Sequence, residues 1–136
     1  MQLNHYEFPL NISMRTTITW VLSILLAIAF LVASFVKITA QPVMVQGFTT
    51  FGFPVWFLYV TGFIELAGAI LVLLPRFAGI GAALLSCVMV GAIFAHLRHG
   101  QSAMAVVPLI LLALSLTVGW LRGWSRTALV AARASL

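Results

Sequence analysis

The residue with the strongest claim to chemistry is Glu65, one of only two acidic residues in the chain. It stands inside a long apolar stretch. Counting helix rise from Arg76 puts it about 16 Å into the nonpolar layer. An acidic group at that depth is costly unless it is neutral, paired or hydrated, so Glu65 is a candidate for proton handling. Gly62 and Gly68 lie three residues to either side, on the same helical face, and leave room around it. The structural alternative is a protonated Glu65 that only bonds a neighbouring helix. Ser86, at about 15 Å by the same count, is the expected partner. Burial disfavours the charged form, so Glu65 is expected to be neutral and bonded to Ser86 or to backbone.

Four further residues gather near one end of the apolar stretches. Lys37 closes the first and His96 the third, with Arg98 and His99 just beyond. Lys37 starts about 13 Å above Glu65 by helix rise, farther than its stem descends. A terminal lysine also snorkels to head groups without further role. Together the four make a cationic or titratable mouth above Glu65. Such a mouth suits an anionic or quinone-like head group, or a proton relay. Lys37 and His96 are the candidates for holding the head group.

Other chemistries find little support. His96 and His99 share a helix face but have no clear carboxylate or thiolate beside them, so no metal site is expected. Haem between helices needs histidines on two facing helices, and only the third stretch offers any. Cys87 is the single cysteine, which excludes an internal disulfide and a CxxC dithiol. Met89 and Met104 read as gap-filling core residues. No cofactor is evident from the chain's own residues, and quinone is the one candidate.

The elements that must position these residues follow from composition. Of 136 residues, 63% are hydrophobic and 7% charged. A soluble domain carries about 25% charged residues, so the expected solvent is a lipid bilayer. The net charge of +5 comes from seven scattered basic residues. No basic stripe forms, and no nucleic-acid partner is expected. Four segments are long enough to cross a hydrocarbon core: residues 16–36, 54–74, 77–97 and 101–121. The expected fold is an all-α membrane protein, a four-transmembrane-helix antiparallel bundle with an interfacial first loop. The first segment exceeds a signal-peptide h-region and reads as a retained helix. Residues 1–15 form a short polar N-terminal tail and residues 123–136 a short basic tail.

The first connection, residues 37–53, is long and apolar, with Phe48, Phe51 and Phe53. It is expected to fold over the bundle mouth or lie in the head-group layer, with residues 42–50 as a short amphipathic helix. The other two links are tight. Arg15, Arg76, Arg122, Arg126 and Arg133 fall on one side and Lys37 and Arg98 on the other. The positive-inside rule then predicts cytoplasmic termini in an inner, cytoplasmic membrane. Trp56 and Tyr59 would mark the outer aromatic belt, and Trp20, Trp120 and Trp124 the inner one. Ala78, Ala82, Ser86, Gly91 and Ala95 on the third helix, with Gly62, Gly68 and Ala69 on the second, predict close packing of those two helices.

The chain resembles the DoxX-like family of small four-helix membrane proteins over residues 16–122. The resemblance rests on Ser34-Phe35-Val36-Lys37-Ile38, on Gly52-Phe53-Pro54-Val55-Trp56, and on the Gly-x-x-Glu-x-x-Gly run from Gly62 to Gly68. Leu73-Leu74-Pro75-Arg76 follows, and His96 closes the third helix as in many members. Ser34 stands where the family often has glycine, so the family's close packing of the first helix is not carried over to that position. Founding members are associated with a thiosulfate:quinone oxidoreductase and a terminal oxidase. Others join membrane redox-stress complexes, and distant relatives look like assembly helpers. The resemblance thus implies a small membrane subunit of a redox-linked complex, with Lys37, Glu65 and His96 lining a site for quinone or a lipid-like substrate. It would work with a membrane or soluble redox partner protein, or as a homo-oligomer. The alternatives are a non-enzymatic assembly or scaffold subunit and a small proton-coupled transporter. Whether the chain is an enzyme stays open at this point.

Overall fold

The computed structural model describes residues 12–124 and residue 134. The regular elements of the described chain are all helices. In order it forms α1 (Ile12–Ile38), α2 (Pro42–Thr50), α3 (Val55–Leu73), α4 (Ala78–Arg98) and α5 (Val106–Gly119), followed by a π-helical turn over Trp120–Trp124. Three helices are long and apolar enough to cross a membrane: Met14–Ile38, Val55–Leu73 and Ala78–Arg98. Val106–Arg122 is a shorter apolar helix. Most of the tail expected over residues 1–15 and most of that over 123–136 lie outside the described residues.

The outer faces of these helices are as apolar as their inner ones. Leu25, Ile28, Val32 and Phe35 on α1 and Ile80, Val90 and Phe94 on α4 are all exposed. A water-soluble bundle would place charge there, so the exposed faces are built for lipid. The core is a narrow seam of Leu26, Phe30, Ala69, Val72, Ala82, Leu85, Met89 and Val118. Met89 fills it as expected. Met104 does not: it is exposed in the link before α5. Buried hydroxyls close back on their own helices. Ser23 donates to the Thr19 carbonyl, Ser34 to Leu31 and Ser115 to Leu111. In lipid, such internal pairing is how a helix carries hydroxyls without an unsatisfied donor. Ser34 is almost fully buried.

Helices α3 and α4 meet backbone to backbone. A Cβ on Gly81 would come within 2.7 Å of the Val72 nitrogen and 2.8 Å of the Gly68 carbonyl oxygen. The two backbones therefore touch, which no larger residue permits. Gly81 and Leu85 of α4 are the residues that meet Gly68 here. Ala78, Ala82 and Ser86 are buried as well, but Ala82 packs against Gly119 of α5. Gly91 plays no part, since it is exposed and has open space where its side chain would be.

Three helix ends share one hydrogen-bond pattern, and these ends carry the candidate site. At the end of α4, Gln101 N–H bonds the His96 carbonyl and Gly100 N–H bonds Leu97. At the end of α2, Phe53 bonds Phe48 and Gly52 bonds Thr49. At the end of α1, Gln41 bonds Val36 and Ala40 bonds Lys37. This is the Schellman cap, which needs a left-handed residue. Gly100 and Gly52 supply it at φ 71° and 77°; α1 uses Ala40 at φ 47°.

Element boundaries depart from expectation at two places. Helix α1 begins at Ile12, before Arg15, and ends at Ile38. Helix α5 begins at Val106 rather than at Gln101. There Met104 and Ala105 both bond back to the Gln101 carbonyl, so residues 102–105 form a tight turn before the helix starts. The short helix expected over residues 42–50 is present as α2.

Candidate functional site

The last turn of α1 rests on Gly62 of α3. A Cβ at Gly62 would lie 3.1 Å from Lys37 Cβ and 3.0 Å from Ile38 Cγ1. Glycine there lets α1 come close enough for Lys37 to reach down α3. Glu65 is three residues further along, about 4.5 Å of helix rise. The lysine stem covers that distance. Its Nζ donates to Oε2 of Glu65 at 2.8 Å and to Oε1 at 3.0 Å. The Glu65 side chain is 1% exposed and that of Lys37 14%.

This pair overturns the expectation that Glu65 bonds to Ser86 or to backbone. Both carboxylate oxygens accept from the lysine, the geometry of an ion pair. Ser86 instead donates to the Ala82 carbonyl at 2.7 Å. The expectation failed because it ran every apolar stretch from one membrane boundary to the other. That hung Lys37 at the outer edge. In the fold, the end of α1 is set against Gly62, about two turns inside α3, and α2 with its flanking turns continues the chain from there.

A second cluster forms where α2 meets the end of α4. The Phe51 ring lies 5.0 Å from the His96 ring, edge-on at 85°, and 5.0 Å from the His99 ring at 47°. The Nδ1 of His96 lies 3.0 Å from the side-chain oxygen of Gln101. The Nδ1 of His99 donates to the Ala95 carbonyl at 2.8 Å. Beside it, Phe48, Phe53 and Phe57 form an aromatic triangle, with Trp56 edge-on to Phe57. Phe48 and Phe51 thus have the packing partners expected of a loop folded over the bundle end.

The three candidate residues therefore divide. Lys37 and Glu65 come together directly. His96 joins Phe51 and Gln101 in the neighbouring cluster and makes no hydrogen bond to either member of the ion pair. Sequence reasoning had marked Phe51 as apolar and Gln101 as a helix start, and missed both as partners of His96. The available signal was the spacing. Gln101 follows His96 by five residues across Gly100, and a Schellman turn returns the chain onto the last helical turn.

At the other end of α1, Arg122 lies over the Trp20 ring at 4.0 Å from its centroid and is almost fully buried. Expected as a marker of the inner membrane surface, Arg122 also clamps the π-helical turn to α1 through a cation–π contact. Among the described residues no group of three His, Cys, Asp or Glu side chains is placed to hold a metal ion.

The chain is similar to the uncharacterized protein YdgD of Bacillus subtilis (strain 168), 36% identical over 107 residues, which cover 74% of this chain and 94% of that relative. No solved structure matches it. The model of the DoxX-like family matches residues 21–118. That match runs from within α1 to near the end of α5 and encloses Lys37, Glu65 and His96, and the chain belongs to the DoxX-like family.

Proposed function

We propose that this protein is a small membrane subunit of a redox-linked complex, in which the Lys37–Glu65 pair exchanges a proton with the head group of a quinone or lipid-like substrate. One observation carries the reading: an ion pair buried inside an otherwise apolar bundle. Such pairs are expensive in a membrane and mark sites where charge or protons are handled. Glu65 is the proton-exchanging group. Lys37 keeps its carboxylate charged between exchanges, and His96, at the aromatic mouth beside Phe51, orients a polar head group. The electron carrier sits in a partner or is the quinone itself.

The reading includes a topology. Helices α1, α3 and α4 each span, and α5 with its π-helical turn spans as the fourth. Residues 106–124 rise roughly 27 Å, close to one hydrocarbon thickness. With short links after α3 and α4, neighbours run antiparallel. The arginine distribution puts both termini in the cytoplasm of an inner-membrane protein.

The test is Glu65→Gln, which keeps shape and hydrogen-bonding capacity but cannot titrate. A variant that inserts and folds yet loses the activity of its native complex supports the proton role. Full activity in that complex sinks it. A second reading is an assembly subunit in which the pair only tethers α1 to α3. Gentle purification separates the two: co-purifying quinone favours the first, and one stoichiometric protein partner without quinone favours the second.

A further inference from the structure

A groove of about 340 Å³ opens at the end of α4, lined by Phe51, Phe53, Phe94, Ala95, Arg98 and His99. We propose that it holds the phosphate head group of an anionic phospholipid whose acyl chain runs down the outer face of α4. This site is separate from the Lys37–Glu65 pair and does not rest on the function proposed above.

Charge complementarity names the occupant. Glu65 is the one acidic residue among those described, and Lys37 holds it. Arg98 therefore has no acidic partner among the described residues and is left exposed at the groove rim. A guanidinium presents a planar fork of donors that matches phosphate oxygens. The Nδ1 of His99 donates to the Ala95 carbonyl, which leaves Nε2 to accept from a hydroxyl of the lipid head group. The rest of the lining, Phe51, Phe53, Phe94 and Ala95, is apolar, which suits the first methylenes of the acyl chain.

The face below fits the chain of the lipid. Arg98, Phe94, Gly91 and Cys87 repeat at four and three residues, so they follow one line along α4. All four are exposed. Nothing lies within 4 Å of where a Gly91 side chain would stand, so the line is a shallow apolar track. A zwitterionic lipid would bring its own cation to Arg98, and free phosphate would leave the track empty. The acidic lipid alone satisfies both ends.

The experiment titrates the full-length protein in detergent with phosphatidylglycerol, phosphatidylcholine or inorganic phosphate, and reads bound lipid by native mass spectrometry. Phosphatidylglycerol should be retained selectively. Arg98→Gln should weaken it by about tenfold, the loss expected for a charged hydrogen bond, while Arg98→Lys loses less. Phe94→Ala, at an exposed position, should also weaken it, and it carries the test should Arg98→Gln fail to fold. Equal retention of phosphatidylcholine overturns the proposal. So does displacement of the lipid by equimolar phosphate, or wild-type retention in Arg98→Gln or Phe94→Ala.

Discussion

Lys37 and Glu65 stand 28 residues apart, yet the ammonium of one reaches both oxygens of the other at 3.0 and 2.8 Å. The contact joins the end of α1 to the middle of α3 and exists because Gly62 lets the helices close. Removing one partner leaves the other buried without compensation. Lys37→Met should therefore destabilise the protein by about 3–5 kcal/mol. Replacing both, as in Lys37→Met with Glu65→Leu, should recover most of that loss. Unfolding measured across the four proteins of the double-mutant cycle checks this. Additive losses would mean that the pair contributes no coupling.

The backbone contact between α3 and α4 makes an equally sharp contrast between two glycines of one helix. Gly81→Ala would set a methyl against the Val72 nitrogen and the Gly68 oxygen, neither of which can move without parting the helices. A loss of about 2–3 kcal/mol is expected from such overpacking. Gly91→Ala meets open space and should be neutral, or stabilising by up to about 1 kcal/mol through helix propensity. Thermal unfolding of both variants in the same detergent decides it. Similar midpoints would refute the close approach.

Ala40 holds a left-handed conformation at the cap of α1, where α2 and α4 end in glycine. An L-residue with a Cβ pays about 1–2 kcal/mol for that conformation. Ala40→Gly should relieve most of it, less the extra chain entropy that glycine loses on folding, for a net gain of about 0.5–1 kcal/mol. Denaturant or thermal unfolding reports the sign. Destabilisation would mean that the alanine methyl makes a contact worth more than the strain.

What could be read from the sequence was whatever depends on composition and local spacing. The apolar stretches announced α1, α3 and α4, and the apolar first loop announced α2 within its observed bounds. Glu65, Lys37 and His96 stood out by type alone. The partnership of Lys37 with Glu65 was not legible, because it depends on how far α1 slides along α3. Hydropathy does not encode that offset; Gly62 does, but only once its neighbour is known. The start of α5 was missed for a related reason. The residues from 102 to 105 are nearly all apolar or small, and only their hydrogen bonds to Gln101 distinguish a turn from a helix.

Phe51 is the side chain through which α2 grips α4, and its two ring contacts predict where the bundle opens first. Phe51→Ala removes the edge-on contact with His96 and the tilted contact with His99. Aromatic pairs of this kind contribute about 0.5–1.5 kcal/mol each beyond the area they cover. Helix α2 has no buried residue of its own, so little else holds that side of it to α4. The loss should therefore appear as local opening rather than global unfolding. Hydrogen exchange should quicken in residues 42–53 and stay unchanged in the middle of α3 and α4. Phe51→Leu, which keeps apolar bulk without the ring, should fall between wild type and Phe51→Ala. Exchange that rises equally in all helices would show that Phe51 supports the whole core, and exchange that does not rise at all would show that its rings contribute nothing to holding α2 in place.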